Sequence, residues 1–342
     1  MQQNEYQNHE QTPLNDRMTN SDPREISSET VPQANLQRQL PRRRRVGLVL
    51  VLCLLGLALS LGILGVTDGV AFNSMQKALP TRAFTINGHG SLVINDNSGT
   101  FHIHEGAGNQ VLVQGKEYAY GLVSNFASMH VDYRQEGNLV TLDATEGWSL
   151  LGSTGITFDI TVPANLDVTI HGNATDTDLT HIDGNVNAHS NSGNLELNTV
   201  NGDLNLNTTS GNIGITGEQG AVSAHSSSGN IEVKQLMGPV NLFSSSGNIT
   251  LEQANLSGQD QIQSSSGDIE FTGTLDPAGT YQMNTSSGNI TLKLPDNSAF
   301  RTTIGTSNGE INNAFSAPTT GSTPYATLVL KTSSGNITLE KQ

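Results

Sequence analysis

One glycine recurs along this chain at nearly fixed intervals. Gly193, Gly211, Gly229 and Gly247 lie 18 residues apart, and Gly267, Gly288, Gly309 and Gly335 follow after steps of 20, 21, 21 and 26. Most stand in a Ser-Gly-Asn or Ser-Gly-Asp triplet followed by an aliphatic residue. Weaker echoes at Gly184, Gly202, Gly220 and Gly238 halve the interval, so the beat is nine residues. Such a beat accommodates one strand of about five residues and one turn. Self-similarity at this period marks a stacked repeat, in which each unit touches only its neighbours.

The apolar residues keep the same beat. Positions two and four after each glycine are Leu195 and Leu197, Ile213 and Ile215, Ile231 and Val233, Ile249 and Leu251, Ile269 and Phe271, Ile290 and Leu292, and Ile337 and Leu339. The half-coils between them supply Val186 and Ala188, Leu204 and Leu206, Val222 and Ala224, and Val240 and Leu242. Side chains two apart on a strand share a face, so these pairs point inward and the residues between them, such as Glu232 and Thr250, point to water. Two short walls of aliphatics make a narrow core, which explains how 5% aromatic residues suffice.

Glycine tolerates a positive φ, and Asn or Asp after it bonds nearby backbone, so each triplet reads as a corner. Serines stacked coil on coil are placed to hydrogen-bond along the stack. A serine nucleophile needs an adjacent base and an orienting group, and the corner motif holds neither a lysine nor a GxSxG elbow. No catalytic residue is assigned, and the chain reads as a non-enzyme.

The first part of the chain differs. Residues 1–45 are polar and poor in β-branched residues, and such a segment cannot offset its chain entropy by burial, so it is expected to be a disordered cytoplasmic tail. It ends in Arg42, Arg43, Arg44 and Arg45. Val46 to Val66 follow without a charge, long enough as a helix to cross about one hydrocarbon core of ~30 Å. The run exceeds a signal-peptide core, although the small residues ending at Ala71 resemble a cleavage site, so it reads as an uncleaved single span. The arginines, against Asp68 as the first charge beyond, place the N-terminus in the cytoplasm and the C-terminal domain outside the cell membrane. Residues 67–81 read as a linker and 82–342 as the extracytoplasmic domain, with repeats from about 172. The sole cysteine, Cys53, lies in the span, which excludes a disulfide framework. Beyond the span, 9 basic residues (16 less 7) face 25 acidic ones (31 less 6), a net charge near −16 that excludes nucleic acid as a partner.

Residues 80–170 alternate without the beat, in stretches such as "SLVIND", "TFHIHE" and "GITFDITVP", and read as β-rich opening coils that cap the stack. Lys116 to Met129 read as a loop or short helix, and Pro295 to Tyr325 as a loop or cap. The expected fold is therefore all-β, a β-solenoid (β-helix) with two short strands per coil of 18 to 21 residues, preceded by one transmembrane α-helix and the tail.

The run of [ST]-x-G-[ND]-[ILV] corners from Gly193 to Gly335, the opening "LVINDNSGTFHIHEG" and the stretch "ITFDITVPANLDVTIHGNATDTDL" together resemble the bacterial putative-adhesin family, a domain of unknown function numbered 4097. The likeness covers about 82 to 342. It implies a membrane-anchored β-solenoid and carries no catalytic residues.

His102 and His104 share one strand face near Glu105, yet the sequence places no third ligand beside them, so they read as a solvated face and no metal is assigned. His189 and His225 occupy equivalent positions with Asn207 between them and Phe243 after, a surface ladder. The corners lack the paired glycines of calcium-binding repeats, and the N-x-[ST] triplets at Asn248, Asn289 and Asn336 follow from the repeat itself. No cofactor is expected. The predicted function is a non-enzymatic, membrane-anchored module for adhesion or cell-envelope interaction, with an unknown surface ligand and self-association through the span or the solenoid ends. The alternative is an envelope-stress sensor that signals through the span; a polysaccharide-cleaving β-helix ranks below both.

Overall fold

Alternation along the chain becomes two facing walls in a computed structural model that describes residues 73–124, 129–145, 147 and 149–342. The chain divides into the units Met1–Thr67 and Asp68–Gln342, and every described residue belongs to the second. The tail, the four arginines and the span at 46–66 lie outside the described residues, among which no helix occurs.

The strands form a 15-stranded front sheet and a 13-stranded back sheet. A regular coil gives one strand to each: Val222–Ser226 lies in the back sheet and Ile231–Lys234 in the front, then Val240–Ser244 and Ile249–Leu256 repeat the pattern one level on. Strands of successive coils pair in parallel with like residue over like, as in Ile213, Ile231, Ile249 and Ile269. The aliphatic pairs read from the sequence, Leu195 through Leu339, are 0–3% exposed. Each such side chain contributes about 1.5–3 kcal/mol by leaving water.

A third buried column accompanies the two walls. His181, Thr199, Gly217, Gln235 and Gln253 all take a left-handed backbone, with φ from 54° to 72°. This bend turns the next residue inward, so Ile182, Val200, Glu218, Leu236 and Ala254 stack at 0–2% exposure. Only Gly217 in this series advertises a bend by residue type, so the column escapes a search for glycine corners.

The triplet glycines do not work through φ. Apart from the echoes Gly184 and Gly238, no glycine of either corner series has a positive φ. A Cβ on Gly229 would collide with the carbonyl oxygen of Gly211, one on Gly247 with that of Gly229, and the collision recurs along the stack. Glycine is required there because successive corners approach backbone to backbone.

That approach is held by two side chains. Three residues before the glycine sits a buried hydroxyl, at Ser190, Thr208, Ser226, Ser244, Ser264, Thr285 and Thr332. Ser244 Oγ accepts from Gly247 N–H at 2.9 Å and donates to the Gly229 carbonyl of the coil beneath at 3.1 Å. Asn after the glycine caps the coil above: Asn212 Oδ1 accepts from Asn230 N–H and Asn230 Oδ1 from Asn248 N–H, both at 2.9 Å. The expected bonding of Asn to nearby backbone is therefore corrected to bonding between coils. Where the hydroxyl position is Gly172, the corner position holds Thr175, whose side chain fills the space a residue 172 side chain would occupy.

Both ends of the stack depart from chain order. At the start, Gly90–Asp96 and Thr100–Glu105 slot between the coil of Leu139–Thr145 and Ser149–Val162 and the coil of Leu166–Gly172 and Asp176–Asp183. The opening coil is thus second in the stack. Antiparallel strands cover the outside: Gln110–Ser124 pairs with Ser149–Val162, and His130–Glu136 pairs with Leu139–Thr145. The stretch read as a loop or short helix from Lys116 is strand through Ser124, and Asn73–Ala78, within the segment read as a linker, is a strand paired with Gln110–Ser124.

At the other end, Ala326–Ser334 and Ile337–Lys341 insert between the coil of Thr280–Thr285 and Ile290–Leu294 and the coil of Phe300–Asn308 and Ile311–Asn313. The spatial order of corners is therefore Gly288, Gly335, Gly309. The irregular stretch from Pro295 to Tyr325 holds the outermost coil rather than a loop hung on the side.

The hydroxyl relay predicts a contrast within one serine run. Ser244→Ala strips a buried amide and a buried carbonyl of a partner and should cost about 1–3 kcal/mol in denaturant unfolding. Ser246→Ala, at an exposed position two residues on, should stay within about 0.5 kcal/mol.

Candidate functional site

Inward positions and corners are committed to the coil, so chemistry toward a partner rests on the outward positions of the two sheets. The two outer faces differ in charge. On the front, one register row runs Asp159, His102, Asp178, Glu196, Gly214 and Glu232, followed by Thr250 and Glu270. The neighbouring row contributes Lys234, Glu252 and Lys293. Lys234 pairs with Glu232 and lies 3.9 Å from Glu252, and Lys293 is 3.1 Å from Glu270. The Glu196 side chain leans over Gly214, where a Cβ would strike it. Partial burial raises the Glu196 pKa, with Glu232 and Asp178 adding to the effect.

His102 and His104 lie on this front face, His102 exposed and His104 half-buried. His102 Nδ1 is 3.6 Å from Asp178, and His104 Nδ1 is 3.4 Å from Asp159 while its Nε2 meets Thr161 Oγ1 at 3.1 Å. The two imidazoles therefore address separate carboxylates. Among the described residues no group of three or more His, Cys, Asp or Glu side chains is arranged to hold a metal ion.

Along the back face, the two central outward rows carry no carboxylate, lysine or arginine from Thr169 to Asn284, and Asp203 stands at the margin in the row of Asp167 and Asn185. The central rows read Asn187, Asn205, Ser223, Asn241, Gln261 and Gln282, and beside them His171, His189, Asn207, His225, Phe243, Gln263 and Asn284. His189 and His225 stand two coils apart in one row, with Asn207 between them. The sequence reading of that ladder lacked His171, because Gly172 and Thr175 exchange the roles of hydroxyl and glycine at its corner. The rings of His225 and Phe243 stack 4.7 Å apart at 4°. Amides bond along the ladder, as from Asn205 Nδ2 to Asn187 Oδ1 at 3.2 Å.

Glu218 and Asp260 interrupt the core itself, and neither stood out in the sequence. Glu218 replaces an aliphatic between Val200 and Leu236, and both its carboxylate oxygens are buried without a hydrogen-bond partner. Burial pushes its pKa up to about 8, the amides of Gly202 and Gln219 offsetting part of the effect and Asp203 adding to it. Asp260 lies beside Tyr281 in the back sheet, accepts from Val240 N–H at 2.6 Å, and is pushed up to about 6 by burial. Sealed from solvent, these acids meet no substrate, and their effect is on stability.

The sign follows from linkage. A carboxyl whose pKa is higher folded than unfolded stabilises the fold most while protonated in both states, and that contribution is lost as pH rises from about 4.5 to about 8 for Glu218. Glu218→Leu, which restores the aliphatic column, should raise the melting temperature, and by more at pH 8 than at pH 5, in parallel thermal scans. An equal rise at both pH values would show that the acid is not protonated in the fold.

The Toastrack DUF4097 family matches residues 152–340. No curated protein matches the chain. Among solved structures the chain is similar to a putative adhesin from Bacteroides fragilis, with 15% identity over 77% of this chain and 97% of that one and a TM-score of 0.38. A putative adhesin from Parabacteroides distasonis shares 14% identity over 78% of this chain and 97% of that one, with a TM-score of 0.35. A putative lipid binding protein from the same species shares 13% over 78% and 98%, with a TM-score of 0.39. The family match spans more than half of the sequence and the corner repeat on which the coils are built, and the chain belongs to the Toastrack DUF4097 family.

Proposed function

We propose that this protein is a non-enzymatic surface module: residues 46–66 cross the cell membrane once, the tail 1–45 stays in the cytoplasm, and the domain from 82 onward holds its outer faces toward ligands of the cell envelope or of another surface. One observation carries the reading. The polar side chains that repeat from coil to coil are spent on holding coils together, while the outward positions are sorted into an acidic face and an uncharged one. The outward ion pairs and amide bonds between coils do not require the two faces to differ in charge, and such sorting suits recognition, where charge selects partners. The descriptions of two similar structures as putative adhesins agree with it.

Topology and binding are tested separately. In intact cells, a membrane-impermeant maleimide should label Ala278→Cys, at an exposed turn, and should label Gln11→Cys only after permeabilisation. The reverse pattern would place the domain inside and end the proposal. Cells displaying the chain should retain more surface-bound envelope material than cells lacking it, and substitutions on the back face should reduce that difference. Equal retention with and without the chain would remove adhesion from the reading.

A further inference from the structure

The two uncharged rows of the back face end in a hollow bordered by one lysine, Lys331. Continuing the row of His225 and Phe243, the register passes through Gln263, Asn284 and Lys331 to Gly305. In the adjacent row Gln261 and Gln282 lead to Val329 and Thr303. Gly305 has open space where a side chain would stand. A depression of about 590 Å³ opens there, bordered by Gln282, Asn284, Gly305, Thr306, Val329 and Lys331. Asn284, one of the bordering residues, has a buried Oδ1 atom without a hydrogen-bond partner. A buried acceptor left unpaired costs free energy, which a turn of the Asn284 side chain toward a ligand donor in the hollow recovers.

Resting on the surface-module reading, we propose that this hollow, with the row leading into it from Phe243, binds neutral sugar units of a surface glycan. The chemistry of the lining selects that class. Asn284 Oδ1 needs an O–H or N–H donor, which a hydroxyl supplies and a carboxylate or phosphate oxygen does not. Gln282 is exposed and presents a carbonyl and an NH2 group side by side, a match for neighbouring hydroxyls that donate and accept in turn, with the Asn284 amide next to it. Val329, half-buried between Gln282 and Thr303, gives an apolar patch for the C–H face of a pyranose ring. The lining holds no carboxylate and one cation, Lys331, whose ammonium donates to sugar hydroxyls, while the domain's net charge near −16 disfavours an anionic polymer over the face as a whole. Successive strands, about 4.8 Å apart, repeat the amide positions at a spacing comparable with the rise of one sugar unit in an extended chain.

The test uses the full chain purified in a sugar-free detergent. It is titrated calorimetrically with neutral hexasaccharides built from glucose, mannose or N-acetylglucosamine, and with an oligogalacturonate as the anionic comparison. At least one neutral hexasaccharide should bind and the oligogalacturonate should not. Gly305→Leu, whose Cβ meets no neighbour, fills the hollow, and Asn284→Leu removes the unpaired acceptor. Each should weaken binding by about tenfold or more, with the melting temperature of Gly305→Leu unchanged. Glu270→Gln, on the opposite face, should bind as the parent does. No binding of any neutral sugar, binding of the anionic oligomer alone, or full affinity in Gly305→Leu would each overturn the proposal. If displaying cells still retain envelope material while no neutral sugar binds, the surface module stands and the sugar assignment falls.

Discussion

At each corner from Gly193 to Gly335 the carbonyl of one coil lies so close to the α-carbon of the next coil's glycine that no side chain fits between them. The approach brings the hydroxyl three residues earlier within reach of both its own glycine amide and the carbonyl beneath, and it sets Asn over the amide of the coil above. Four features of the repeat, the hydroxyl, the glycine, the Asn and the aliphatic pair, therefore answer one geometric demand. Parallel strands in register leave no slack for a corner to drift, because slipping by one residue would turn every aliphatic outward. The narrow core follows, since walls that approach so closely leave room for Leu, Ile and Val and for few rings.

A stack of identical coils exposes unpaired strand edges at both ends, where another chain could add. The protein handles the two ends in related ways. Its first complete coil and its last are each drawn inward by one level, and a different segment forms the outer layer. At the start that layer is antiparallel and includes His130–Glu136, a strand with Asp132, Arg134 and Glu136 on it. At the far end it includes the short strands Ile311–Asn313 and Thr319–Thr320, the latter antiparallel to Phe300–Asn308. Short, charged or antiparallel edges resist continuation of a parallel stack. Removal of the stretch from Asn297 to Thr323 would thus take away the layer that covers the final coil.

Much of this was legible in the sequence, because a fixed beat with alternating aliphatics admits few structures. The walls at Leu195 through Leu339 lie where alternation puts them. The role of glycine was legible in position and wrong in cause: a positive φ and a collision with backbone both select glycine, and only coordinates separate them. The third column at Ile182, Val200, Leu236 and Ala254 was hidden because its bend is made by His181, Thr199, Gln235 and Gln253, residues that seldom mark turns. Glu218 and Asp260 were hidden with it, since an acid in a polar-rich stretch reads as exposed until its column is known. The swapped ends were beyond reach, as the corner at Gly309 looks like any other until its neighbour proves to be Gly335. The hollow at Gly305 depends on that same swap, since it forms between strands that are not successive in the chain.

The faces offered to partners are a consequence of the corners: once stacking is secured from within, outward positions are free to differ from coil to coil. Amide hydrogen exchange at the corners measures the central claim most directly. If the corners are bonded rungs, the amides of Gly229, Gly247 and Gly267, each held by a buried serine hydroxyl at 2.8–2.9 Å, should exchange as slowly as strand amides such as Leu251. Exchange at the rate of exposed turns would contradict it, and would leave the aliphatic walls alone to hold the coils together.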